Sequence, residues 1–232
     1  MKKIKVGIFD SGSGGLSVVK QLKSDLNKAK YTKLVSINYL GDTKNFPYGT
    51  KSQCQLKKIV KNNINYFLNS GCDIVGIACN TASTVLMSDY RRYSSPRIMS
   101  ILETSIESLS QMHTNNIHVV ASYFTVNSGI YPKLIQLKQP NIKVTVSTEQ
   151  RLITAIEHRQ ISLIQSEIKR IIQFLPANTD HLVLGCTHFS LIKNLFVKEI
   201  KKQERSLAII DPTLGMAKKL FNFIDNFIKN DS

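Results

Sequence analysis

Asp73-Ile-Val-Gly-Ile-Ala-Cys79-Asn-Thr and Asp180-His-Leu-Val-Leu-Gly-Cys186-Thr-His are two versions of one pattern. Each is an acidic residue, a short apolar run, a cysteine, and then amide or hydroxyl residues suited to opening a helix. Apolar runs of this kind read as parallel strands covered on both faces. Each pattern stands third in a series: strands around Val6 and Leu34 precede the first, and strands around Ile117 and Val144 precede the second. The chain therefore reads as two similar α/β halves. Each places one thiol at the carboxyl edge of its sheet, where ligands of such folds bind.

Working outward, further strands are expected at Lys5–Phe9, Leu34–Leu40, Arg97–Ile101, Ile117–Ser122, Ile142–Val146 and Leu207–Ile210. Between them lie helix-period stretches. Leu16, Val19, Leu22 and Leu26 share a face, as do Leu56, Ile59, Val60, Ile64 and Phe67, and so do Leu163, Ile164, Ile168, Ile171, Ile172 and Leu175. Strand and helix in alternation imply right-handed crossovers and a largely parallel sheet. The expected fold is two pseudosymmetric three-layer α/β domains with the active site in the cleft between them. Their expected bounds are 1–95 and 96–207, with a linker at Arg91–Pro96 and segment 208–232 returning to complete the first domain.

Of the 232 residues, 31 are Lys or Arg and 16 Asp or Glu, a formal net charge of +15. The lysines are scattered, and no aromatic-interleaved basic motif is present, which argues against nucleic acid as a partner. A hydrophobic fraction of 42% with 20% charged residues fits an ordinary globular chain. No apolar run nears the roughly 18 residues of a membrane helix, and the apolar stretch after the basic start stops at Asp10. The expectation is a cytoplasmic protein without membrane contact. Four cysteines are too few for a disulfide framework, and none forms a CxxC pair, so neither structural zinc nor another metal is expected. Cys54 and Cys72 read as core residues.

The loop Asp10-Ser11-Gly12-Ser13-Gly14-Gly15 follows a strand and opens a helix, so its backbone can approach an anion. It lacks the third glycine of a dinucleotide fingerprint. The long loop around Pro47-Tyr48-Gly49 can offer backbone N–H groups and a phenol. A thiol beside a helix start, among Asn and Thr donors, is where thiolate is favoured. Asp10 is the natural companion of Cys79, and His188, two residues past Cys186, can exchange a proton with it. Two acid/base groups on opposite walls of a cleft suit inversion at a carbon bearing an acidic proton: one face loses H⁺ while the other receives it. No setting for an organic electron sink is evident, so no cofactor is expected.

These blocks resemble the glutamate racemases in order and spacing. The resemblance rests on Val6-Gly-Ile-Phe-Asp-Ser-Gly-Ser-Gly-Gly-Leu-Ser17, Gly41-Asp-Thr, Pro47-Tyr-Gly-Thr-Lys-Ser52, Ala78-Cys-Asn-Thr-Ala-Ser83 and Leu182-Val-Leu-Gly-Cys-Thr-His188. It implies cofactor-independent racemisation of glutamate by a two-base mechanism, supplying D-glutamate for peptidoglycan. Cys79 would deprotonate the D-enantiomer with help from Asp10, and Cys186 the L-enantiomer with help from His188. By the same resemblance Asp10, Ser11, Tyr48, Gly49, Asn80, Thr81, Thr125, Thr187 and His188 would contact substrate. Departures from the family pattern include Phe189-Ser190 in place of Tyr-Pro and the segment Val146 to Glu157, whose Glu157 matches the family's terminal glutamate. Two alternatives stay open: an aspartate or broader amino-acid racemase, and a racemase scaffold with a binding role toward gyrase or nucleic acid. Thr187-His188 favours the glutamate branch over aspartate. The sequence leaves room for a homodimer.

Overall fold

The computed structural model describes residues 3–88, 95, 97–110 and 114–230. Apart from Ser95, the linker expected at Arg91–Pro96 lies outside the described residues. The first half runs β1 (Ile4–Asp10), α1 (Leu16–Lys28), β2 (Val35–Gly41), α2 (Gln53–Asn69), β3 (Ile74–Ile77), α3 (Asn80–Ser88), β4 (Ile98–Ser100) and α4 (Ile101–Ser110). The second runs β5 (Asn116–Ala121), α5 (Tyr123–Asn127), α6 (Ile130–Lys138), β6 (Lys143–Thr148), α7 (Gln150–Glu157), α8 (Ile161–Phe174), β7 (His181–Gly185), α9 (Thr187–Leu191), α10 (Lys193–Lys202) and β8 (Ala208–Ile210). Helix α11 (Pro212–Asn230) closes the chain.

Both sheets are wholly parallel and have the same order, β2-β1-β3-β4 and β6-β5-β7-β8. The acidic residue of each repeated pattern explains the matched register. Asp73 Oδ2 accepts the Lys5 N–H at 2.8 Å, and Asp180 Oδ2 accepts the Asn115 and Asn116 N–H groups at 3.0 and 2.9 Å. Each carboxylate thus pins the start of β3 or β7 to the start of its neighbour, β1 or β5. Val6 then faces Ile74, and Ile117 faces His181. Counting forward from that common start brings Cys79 and Cys186 to equivalent places.

Strand β3 and, after its half-buried first residue His181, strand β7 are apolar and buried on both faces. Four hydrophobic clusters follow, one on each face of each sheet. Helix α1 contributes Val18, Val19, Leu22 and Leu26 to its cluster, while Leu16, expected on the same stripe, is exposed because it stands in the first turn beside the open loop. Helix α2 begins with a reciprocal cap in which Ser52 and Gln55 each bond the other's backbone N–H. Near its start Cys54 is exposed, a correction to its expected core role; Cys72 is buried.

The C-terminal segment divides between the halves. Strand β8 pairs with β7 and so belongs to the second sheet, against the expectation that it would return to the first. Only α11 crosses back: Met216, Ala217, Leu220, Ile224 and Ile228 are buried against β1 and α1. Among the described residues no helix is long and apolar enough to cross a membrane.

Candidate active site between the two halves

In both sheets the chain reverses direction of winding between the first and third strands, leaving a crevice at their carboxyl ends. The two crevices face each other. Cys79, in the turn between β3 and α3, and Cys186, between β7 and α9, line one cavity together with Ser11, Tyr48, Gly49, Asn80, Thr81 and His188. Phe46, Pro47, Ser122, Gln150 and Ile153 complete its wall. The cavity measures about 10 Å³, room for about one water molecule. The halves are closed on each other so tightly that a Cβ on Gly14 would lie 2.5 Å from Thr187 Oγ1 and 2.7 Å from the His188 nitrogen. Glycine there permits the contact.

Hydrogen bonds cross the cleft in both directions. Asp10 of the first half is wholly buried; its Oδ1 accepts the Gly12 N–H at 3.0 Å, and its Oδ2 accepts the Thr187 hydroxyl of the second half at 2.8 Å. Ser13 donates its hydroxyl at 2.6 Å and its N–H at 3.1 Å to Glu157 Oε2. Thr81 Oγ1 lies 2.8 Å from Ser122 Oγ and 3.4 Å from Thr125 Oγ1. Asn80 Oδ1 accepts the Tyr131 hydroxyl at 2.7 Å. Tyr48 donates to Asp42 at 2.6 Å and accepts from Asn63 of α2 at 3.1 Å, which commits its phenol to its own half.

The two sulfurs differ in surroundings. Cys79, 5% exposed, donates a long bond to Ser11 Oγ at 3.7 Å. Burial, with the Asp10 charge adding to it, pushes its thiol up to about 12. Burial also raises the Asp10 carboxyl above its ordinary value. Cys186 is less buried, and its Sγ lies 3.6 Å from His188 Nδ1. His188 is 1% exposed, and its Nε2 meets Glu157 Oε2 at 2.8 Å. Burial disfavours the imidazolium, but the bonds to Cys186 and Glu157 outweigh it and hold His188 up at about 10. The His188 bond, then those from Ser13, draw Glu157 down to about 2 despite its partial burial. At neutral pH one side therefore carries a protonated sulfur beside a carboxyl group, and the other a sulfur beside an imidazolium.

The structure brings nine of the sequence-expected residues to the cavity or its rim: Asp10, Ser11, Tyr48, Gly49, Asn80, Thr81, Thr125, Thr187 and His188 surround Cys79 and Cys186. Glu157, Ser13, Ser122 and Gln150 were not among the expected site residues. For Glu157 a signal existed in its match to the terminal glutamate of a known pattern. The other three carry none, since they meet the site only through closure of the halves.

A family model for Asp/Glu/Hydantoin racemase matches residues 8–220 of the chain. The chain belongs to that family. It is 31% identical over 222 residues to the glutamate racemase of Fusobacterium nucleatum, covering 94% of this chain and 80% of that one. It is 30% identical over 229 residues to the glutamate racemase of Aquifex aeolicus, covering 96% and 84%. Among solved structures it is similar to the glutamate racemase of Francisella tularensis in complex with D-glutamate, with a TM-score of 0.83 and 28% identity over 97% of this chain and 82% of that one. The two-sheet α/β architecture is the fold of these racemases.

Proposed function

We propose that this racemase interconverts L- and D-glutamate, with Cys79 and Cys186 as the two proton-transfer groups on opposite faces of the α-carbon. One observation carries the reading: equivalent cysteines from two equivalent halves line a single closed cavity, one bonded to Ser11 within the field of Asp10 and the other bonded to His188. A substrate α-carbon between them gives up its proton to the Cys186 thiolate. Electrons of the broken C–H bond spread into the α-carboxylate, and the Cys79 S–H then delivers a proton to the opposite face. The reverse reaction exchanges the roles. His188, protonated over the neutral range, offsets charge on Cys186, and Glu157 fixes its ring. Asp10 acts in the opposite sense at Cys79: its charge, added to burial, keeps that thiol protonated and so able to donate.

A cavity of about 10 Å³ cannot hold an amino acid, so the halves part to admit substrate and close to exclude water. The similarity to glutamate racemases over most of the chain supports glutamate as substrate and D-glutamate for peptidoglycan as its use. The two moving bodies are offered as the sheet β2-β1-β3-β4 with its helices and α11, and the sheet β6-β5-β7-β8 with its helices; because β4 pairs with β3, the expected boundary at 95/96 moves past α4.

The test is incubation with L-glutamate and, separately, L-aspartate in deuterated water without added cofactor, following α-proton exchange and optical rotation. Glutamate is expected to exchange and lose rotation. Absence of exchange with either substrate would overturn the racemase assignment, and exchange with aspartate alone would overturn the substrate.

A further inference from the structure

Among the described residues, the buried side-chain nitrogen and oxygen atoms that lack a partner are Nδ2 of Asn80 and both Nε2 and Oε1 of Gln150. Asn80 and Gln150 line the same cavity as Cys79 and Cys186. Buried amides almost always find partners, so orphaned ones gathered in one cavity mark groups that pair with a ligand. Asn80 at least uses its oxygen, on Tyr131. Gln150 uses neither end.

The place of Gln150 is nonetheless fixed. It is the first residue of α7, and the residue before it, Glu149, is 3% exposed. Glu149 accepts the Ser147 hydroxyl at 2.8 Å and pairs with Arg170, which also bonds Glu167 at 3.0 Å. The far end of α7 is tied through Glu157 to His188 and Ser13. Held at both ends, the helix delivers the Gln150 carboxamide against Gly49 of the opposite half, so closely that a Cβ on Gly49 would collide with Oε1. This wall, made of α7 and the Gly49 loop, is separate from the two turns that carry the cysteines.

Resting on the reading above, we propose that Gln150 is a specificity-determining residue that recognises the substrate's side-chain carboxylate through its Nε2 amide. The reacting carbon, with its own carboxylate and amino group, sits between the turns at residues 79–81 and 186–188. What extends beyond them is the side chain, and its length sets whether a terminal carboxylate reaches the α7 wall. A carboxylate has only acceptors, and Nε2 has two N–H donors with no other use. The amide is neutral, so it accepts this anion without demanding a fixed charge in a site that already holds Asp10 and Glu157.

The experiment compares Gln150→Met and Gln150→Glu with the wild type. Gln150→Met, similar in shape and without donors, is expected to raise the KM for glutamate on the order of tenfold with kcat within about threefold, the pattern of lost ground-state binding. Gln150→Glu, isosteric and anionic, raises KM further. Because the amide has no protein partner to lose, Gln150→Met keeps or raises the Tm of the substrate-free protein; a purely structural role would lower it. Unchanged KM in both variants, or a fall in kcat at constant KM, would overturn the proposal. A wild type that turns over aspartate but not glutamate would instead overturn the substrate reading, and the same variants assayed on aspartate then report on Gln150 separately.

Discussion

Cys79 and Cys186 follow equivalent strands in equivalent sheets, pinned by equivalent aspartates, yet their surroundings are unlike. Behind Cys79 stand an apolar core and a buried carboxyl, and the thiol is pushed up to about 12. Behind Cys186 stands an imidazole held up at about 10 by Cys186 and a glutamate. Duplicated backbone places the two sulfurs in one cavity, and side chains that differ between the halves, Asp10 near Cys79 and His188 beside Cys186, make their surroundings unlike. A racemase must treat two mirror-image substrates through a chiral site. Placement has to be symmetric; protonation does not.

The largest effect that could break this comparison comes from removing either sulfur. Cys79→Ser and Cys186→Ser are each expected to lower racemisation by about 10³-fold or more, since general acid–base groups contribute about 10²–10⁴. A fully active single variant would remove the two-sided assignment. His188→Asn sharpens it: a loss of about 10²-fold in kcat/KM is expected, equal in the two directions because enantiomers have equal free energy. Unequal values at equilibrium would show another product being formed.

A smaller effect separates the halves by pH. The folded value of His188 is raised from 6.5 to about 10, so its stabilising contribution is complete below pH 6.5 and is lost as pH rises toward 10. Glu157 is lowered from 4.5 to about 2, so its contribution is complete above pH 4.5 and is lost as pH falls toward 2. Denaturant unfolding across pH should show a fall on the alkaline side that disappears in His188→Asn. Glu157→Gln should cost about 1.5–3 kcal/mol at pH 6, the range for a hydrogen bond to a charged group, and should flatten the acid limb. Retention of the alkaline limb in His188→Asn would assign it to another group. The smallest expected effect is that of salt. If substrate is read by donors in the cleft and not steered by the +15 surface, kcat/KM changes by less than about twofold between low and moderate ionic strength.

The repeated cysteine pattern made the two halves legible because β3 and β7 are buried on both faces and leave continuous apolar runs. Strand β8 gives no sign of its sheet: three residues do not reveal their partner β7, and the long amphipathic α11 that follows does return to the first half. At the site, Asp10, Cys79, Cys186 and His188 stand in motifs of fixed spacing and could be read. Ser13, Ser122 and Gln150 could not, because each becomes part of the site by contact across the cleft with a residue far away in the chain. A glutamine opening an amphipathic helix looks like any solvated first turn until the opposite half closes over it.

The central claim, one sulfur per face of the α-carbon, is tested most directly by deuterium incorporation in the single cysteine variants supplied with each enantiomer. The account predicts that Cys79→Ser exchanges the α-proton of L-glutamate and not of D-glutamate, and that Cys186→Ser does the reverse. Exchange of the same enantiomer by both variants would contradict it.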